Sequence, residues 1–281
     1  MKYATVCSGI EAPSLAWHPL GWQPVFFSEI EKFPSAVLHH HYPSVPNLGD
    51  MTKIKAINFH GSVDIFCGGT PCQSFSIAGL RKGLADNRGN LMLSFVGIAA
   101  KMRPRWIVWE NVPGVLSSNS GRDFGTLLGA LGQLGYGFAY RILDAQFFGV
   151  AQRRRRVFVV GYFGDWRPAA AVLFEPESLR WNIQARAKAP KEIAKTLTRG
   201  TCQRFSYETE DFIVSSYGVR RLTPVECERL QGFPDNFTNI PWRGKSESPD
   251  SLRYSALGNS MAVPVMAWLG KRIDYVQNLI L

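Results

Sequence analysis

Long apolar runs are missing from this 281-residue chain. Nothing approaches the roughly 20 consecutive apolar residues that a membrane-spanning helix needs, and Glu11 interrupts the N-terminus before a signal-like apolar stretch could form. Cysteine is scarce. The five present, Cys7, Cys67, Cys72, Cys202 and Cys227, are odd in number and include no Cys-x-x-Cys pair, which argues against a disulfide framework and a zinc ribbon. A soluble, reduced, cytoplasmic protein without a metal site is expected. Acidic charge is also short: 22 Asp+Glu face 32 Lys+Arg, a net +10 that suits a polyanionic partner. Residues 151–204 hold 12 Lys/Arg against 4 Asp/Glu, so 12 − 4 = +8 of that excess sits in one window. Hydrophobic residues at 46% and charged residues at 19% exclude global disorder and support a sizeable core.

Short apolar runs recur at Tyr3–Val6, Val25–Phe27, Val63–Cys67, Ile107–Trp109 and Val157–Val160. Between them lie helical stripes, Leu91, Phe95, Ile98 and Met102, then Phe124, Leu127, Leu128, Leu131 and Leu134. Strands alternating with helices predict an α/β fold, a mostly parallel sheet covered on both faces, with ligands gathering at the strand C-terminal ends. The rhythm fails over residues 164–217, which predicts a small basic second region beside a body made of residues 1–163 and 218–281. It returns at Thr223-Pro224-Val225-Glu226, where Thr caps, Pro suits the first helical position and Glu reaches back. Met266, Leu269, Ile273, Val276 and Ile280 mark a last helix.

Four constellations bear chemistry. Thr5-Val6-Cys7-Ser8-Gly9-Ile10-Glu11-Ala12 runs from a strand into a small-residue turn, and Glu29, 20 residues past Gly9, ends the next strand, the spacing of a nucleotide turn and its ribose-holding acid. A full G-x-G-x-x-G is absent: Glu11 and Ala12 stand where later glycines would. That disfavours a pyrophosphate and leaves room for an adenosine cofactor without phosphates. Gly68-Gly69-Thr70-Pro71-Cys72-Gln73-Ser74-Phe75-Ser76 puts Cys72 in a polar loop at a strand mouth, where a nucleophile is more apt than a core thiol. Ile107-Val108-Trp109-Glu110-Asn111 ends an apolar strand in a carboxylate, which is either paired or kept protonated for proton donation. In Gln152-Arg153-Arg154-Arg155-Arg156, strand alternation puts Arg154 and Arg156 on one side and Arg153 and Arg155 on the other. His39-His40-His41 reads as a surface loop, not a metal site, and Trp106 and Trp109 as core.

Together with Gly258-Asn259-Ser260 and Arg221-Leu222-Thr223-Pro224-x-Glu226-Cys227-x-Arg229-Leu230-Gln231-Gly232-Phe233-Pro234, these motifs follow an order that resembles the DNA (cytosine-5)-methyltransferases. The resemblance covers roughly residues 3–163 and 196–268. It implies a Rossmann-like methyltransferase fold that binds S-adenosylmethionine without a metal. Glu29 would take the ribose hydroxyls and Asp50 the adenine amino group; Ser8, Gly9, Ile10, Pro71, Leu91, Asn259 and Val263 would complete the pocket. Cys72 would attack carbon 6 of a flipped-out cytosine, Glu110 would serve ring nitrogen 3 with Asn111 orienting it, Arg156 would hold the cytosine carbonyl, and Arg154 would position Cys72 and a phosphate. Gln73, Ser76, Arg153, Arg155, Thr196 and Leu197 would meet double-stranded DNA, with 164–217 as the target-recognition region. The resemblance further implies a monomer of bacterial or phage type, whose link to a cognate restriction endonuclease would be functional and not physical. The alternatives are transfer to RNA, a catalytically silent DNA-binding homologue, and a nicotinamide-dependent oxidoreductase, against which the imperfect glycine turn counts.

Overall fold

The computed structural model describes residues 1–71, 91–174, 212–215 and 218–280. Six strands form one sheet in the order β2-β1-β3-β4-β6-β5: β1 (Lys2–Val6), β2 (Gln23–Phe26), β3 (Ile65–Gly68), β4 (Trp106–Asn111), β5 (Tyr136–Asp144) and β6 (Arg155–Phe163). The first four run parallel, and β6 lies antiparallel to both β4 and β5. β5 therefore runs with the first four, so the sheet is parallel but for β6. Apolar runs such as Ile65–Cys67 and Trp106–Trp109 are buried because helices cover both faces.

One face carries α1 (Ala12–Trp17), α5 (Arg167–Leu173) and α8 (Val263–Ile280), and its core includes Trp17, Trp106, Leu173, Met266, Leu269, Ile273 and Val276. Ile280, placed on that stripe by the sequence, is 46% exposed. The other carries α3 (Leu91–Met102) and α4 (Arg122–Gln133), whose Phe95, Ile98, Leu127 and Leu131 pack with Phe66 and Trp109. A third cluster joins α2 (Lys32–His41) to α6 (Pro224–Gln231) and α7 (Asp250–Asn259) through Phe33, Val37, Cys227, Phe237 and Leu257. The capping box of α6 forms as the sequence predicts, with Glu226 N donating to Thr223 Oγ1 at 3.3 Å and Thr223 N to Glu226 Oε2 at 2.7 Å.

Two expectations need amending. The body continues beyond residue 163, because Ala169, Val172 and Leu173 of α5 are fully buried in its core. The histidines do not form a loop: they make the last turn of α2, where His41 stacks on Phe237 and Nε2 lies 2.8 Å from the Phe237 carbonyl. A short hairpin of β7 (Phe212–Ser215) and β8 (Gly218–Arg221) stands apart from the main sheet.

Candidate active site

A cleft opens where β1, β3 and β4 end, lined by Thr5–Gly9, Glu11–Pro13, Cys67–Gly69, Glu110 and Asn259–Met261. Strand C-terminal ends are where the parallel topology exposes backbone donors and loops. The turn after β1 is tight: Cys7, Gly9 and Glu11 all have positive φ, at 50°, 56° and 63°. Glycine takes that conformation freely; cysteine and glutamate hold it against a cost of roughly 1–2 kcal/mol each.

The turn meets the end of β2 as the 20-residue spacing predicts. Gly9 N donates to Glu29 Oε2 at 2.8 Å, and Ser28 N donates to Ser8 Oγ at 3.0 Å. Sequence reasoning missed the residue that joins Glu29 to the Asp50 loop. Asn47 accepts from Glu29 N at 2.9 Å and from Gly49 N at 3.1 Å, while its amide donates to the Glu29 carbonyl at 3.1 Å. Asp50 caps the short turn after it by accepting from Thr52 N and Oγ1, and these bonds hold its carboxyl below the usual carboxylate range. Ser8, Gly9 and Asn259 line the cleft. Ile10 is fully buried behind it, Pro71 is exposed, and Leu91 and Val263 are half-buried at the starts of α3 and α8.

At the β4 end, Glu110 is 9% exposed and pairs with Arg156, whose Nε lies 3.0 Å from Oε1. Burial pushes this carboxyl upward, while Arg156 and then Arg154 pull it down; the net direction is up. The group therefore keeps a proton at higher pH than a surface glutamate. Gly69 makes room for it, since a Cβ there would lie 3.0 Å from Glu110 Oε2.

Arg154 and Arg156 share the inward side, and Arg153 and Arg155 are exposed. Each inward residue of the Gln152-x-Arg154-x-Arg156 run reaches a different wall. Gln152 Nε2 donates to the Leu230 carbonyl at 3.2 Å, and Arg154 Nη2 donates to the carbonyls of Gly258 (3.1 Å) and Ser260 (2.6 Å). Arg154 is 3% exposed, and these bonds secure the Gly258-Asn259-Ser260 turn.

Asn111 also departs from expectation. Adjacent strand residues face opposite ways, and Asn111 Nδ2 donates to the Thr70 carbonyl at 2.8 Å while Trp109 Nε1 donates to Thr70 Oγ1 at 3.0 Å. It therefore fixes the strap that leads to Cys72 and does not orient Glu110. Cys72, Gln73, Ser76, Thr196 and Leu197 lie outside the described residues. Among the described residues no cluster of His, Cys, Asp and Glu could hold a metal ion, and no helix is long and apolar enough to cross a membrane.

A sequence profile described as "C-5 cytosine-specific DNA methylase" matches residues 1–199 and 175–274. The chain belongs to this family. Among curated relatives, "Type II methyltransferase M.NgoBI" of Neisseria gonorrhoeae is 32% identical over 94% of this chain and 90% of its own length. "DNA N-6-adenine-methyltransferase" of Escherichia phage P1 is 34% identical over 96% of this chain, which spans 61% of that relative. The solved structure of Schizosaccharomyces pombe Dnmt2 methyltransferase superposes with a TM-score of 0.73 at 17% identity, covering 100% of this chain and 99% of its own. At that identity the likeness bears on the Rossmann-like methyltransferase fold alone.

Proposed function

We propose that the protein moves a methyl group from S-adenosylmethionine to carbon 5 of a cytosine rotated out of double-stranded DNA. The observation that carries this reading is Glu110, a buried carboxyl held upward in its titration beside Arg156, in a cleft whose lining residue Gly9 is bonded to Glu29. The lining fits the cofactor. Glu29, whose carboxylate oxygens accept from Gly9 N and Glu31 N beside the cleft, would turn its remaining lone pairs to the ribose hydroxyls, and no Lys or Arg stands among the described lining residues to neutralise a pyrophosphate. Ser8, Gly9, Ile10, Glu29, Asp50, Pro71, Leu91, Asn259 and Val263 would hold it. When bound, S-adenosylmethionine supplies an electrophilic methyl group on a positively charged sulfur.

Carbon 5 of cytosine is a weak nucleophile until the ring is activated. The Cys72 thiolate adds to carbon 6, a C–S bond forms, and the electron pair displaced toward nitrogen 3 is met by the proton of Glu110. Arg156 steadies both the carboxylate left behind and the cytosine carbonyl. Once carbon 5 carries the methyl group, water removes its proton, the C–S bond breaks and nitrogen 3 returns its proton to Glu110. Rotating the base out of the stack costs a few kcal/mol. Contacts from the basic window, with Arg153, Arg155, Thr196 and Leu197 among them, and from Gln73 and Ser76 beside Cys72, would offset this cost. Residues within 164–217 would supply target recognition.

The adenine chemistry in the phage relative's name needs no thiol, because an exocyclic nitrogen already carries a lone pair. Cys72 with Glu110 suits a ring carbon instead. Purified protein with methyl-labelled cofactor and DNA or RNA, followed by digestion to nucleosides, tests the reading. Label in DNA 5-methylcytosine is expected; label in N6-methyladenine or confined to RNA overturns it. DNA carrying 5-fluorocytosine should form a denaturation-resistant adduct with the wild type and none with Cys72→Ser. Bisulfite sequencing of DNA from expressing cells would give the recognised context and test a Type II methyltransferase role of the kind the relatives' names carry.

A further inference from the structure

Glu11 is a second buried carboxylate of the cleft, and the chemistry above makes no use of it. It lines the same cavity as Glu110 and is fully buried. Its left-handed backbone turns the side chain back under the turn, where it caps α1. Thr5 Oγ1 donates to one carboxylate oxygen; Ser14 N (3.1 Å) and Ser14 Oγ (2.7 Å) donate to the other. These donors support the ionised form. The donors are all neutral: among the described residues, Glu11 has no ion pair with Lys, Arg or His, whereas the comparably buried Glu110 and Glu228 each have an arginine. A buried anion without a counter-charge costs free energy unless a cation completes it.

The cleft is where that cation can arrive. We propose that Glu11 sets the charge selectivity of the cofactor site, favouring the positively charged sulfonium donor over the neutral thioether left after transfer. The proposal rests on the cofactor reading given above and adds a residue to it. It gives a physical reason why the turn carries Glu where dinucleotide-binding turns carry Gly. The carboxylate occupies donors near the helix start that a phosphate would otherwise claim, and it repels phosphate while attracting a cation. Methyl transfer removes the positive charge, so the same carboxylate that recruits the donor ceases to retain the product.

Calorimetric titration of S-adenosylmethionine and of S-adenosylhomocysteine, without DNA, into wild type and Glu11→Gln tests this. The amide keeps the shape and the ability to bond Thr5 and Ser14 but carries no charge. The sulfonium ligand should lose about tenfold in affinity, about 1.4 kcal/mol, while the thioether changes less than about threefold. Thr5→Val offers a second arm if Glu11→Gln does not fold: it keeps the carboxylate, removes one donor that favours ionisation, and should lower the sulfonium-to-thioether preference by about threefold. Equal weakening of both ligands, or an unchanged preference in the folded variants, overturns the charge role and leaves the cofactor assignment standing. Failure of the wild type to bind either ligand overturns both.

Discussion

The two ends of the cleft treat a buried carboxyl in opposite ways. At the β4 end Glu110 sits 3.0 Å from Arg156, with Arg154 close behind. At the β1 end Glu11 has hydroxyls and one amide but, among the described residues, no cation, and burial pushes its carboxyl up to about 7. Both groups hold protons more tightly than exposed glutamates, since desolvation is the leading cause for each. The difference lies in what compensates the charged form. Glu110 has arginines of the fold beside it, as the proton cycling proposed above requires, while Glu11 is left to the cation proposed above. Burial alone therefore does not define a carboxylate's role; the identity of its partners does.

Four substitutions would break or sharpen this contrast. Glu110→Gln should lower turnover by about a thousandfold, about 4 kcal/mol on the barrier, with DNA binding kept within threefold. Single-turnover rates and a gel-shift titration check it, and unchanged turnover would remove Glu110 from proton transfer. Arg154→Met should destabilise by roughly 3–4 kcal/mol in denaturant melts, because the buried Gly258 and Ser260 carbonyls lose their donor. Glu11→Gln should remove a pH slope of about 3 kcal/mol from the ligand-free protein. The folded value of about 7 lies above the unfolded 4.5, so the unfolded chain releases this proton first. Stability is full below pH 4.5 and falls as pH rises to 7. The variant should gain on the wild type between melts at pH 5 and pH 8, and a pH-independent gap would mean that Glu11 does not titrate in this range. Thr70→Val, which strips Trp109 Nε1 of its acceptor beside the Glu110 wall, should cost only about 1–2 kcal/mol.

Much of this arrangement is legible in the sequence where a rule of period or capping applies. The Thr223/Glu226 box, the α3 and α4 stripes and the shared side of Arg154 and Arg156 each follow from local geometry. The same alternation rule, applied to Glu110-Asn111, puts the amide on the far face, where it holds Thr70. β5 escapes notice because Gly137, Ala139 and Arg141 break any β-branched run, and as an edge strand it leaves Tyr140 46% exposed. α2 hides behind Pro34, which the first turn of a helix tolerates. Asn47 could not be read in advance, since its partner Glu29 is brought to it by folding the 46–49 loop against the end of β2, and the capping of Ser14 by Glu11, three residues apart, is masked by a left-handed backbone unusual for glutamate. The salt dependence expected of the +8 window belongs to the same class of non-local property: binding should fall steeply with ionic strength if those charges follow phosphates.

Helix α8 reaches back to tryptophans contributed by the N-terminal half. Trp17 Nε1 donates to the Met266 carbonyl at 2.9 Å, Trp22 to Asp274 Oδ1 at 3.2 Å and Trp106 to Gln277 Oε1 at 2.8 Å. Just ahead of α8, the Asn259–Met261 turn closes the cleft opposite Glu11 and Glu110. A polypeptide emerging from the ribosome thus carries both carboxylates long before the facing wall exists. The three indole anchors tie closure of the cleft to the docking of α8, and two separately expressed halves cut between β6 and α6 should regain the pocket only on reassembly.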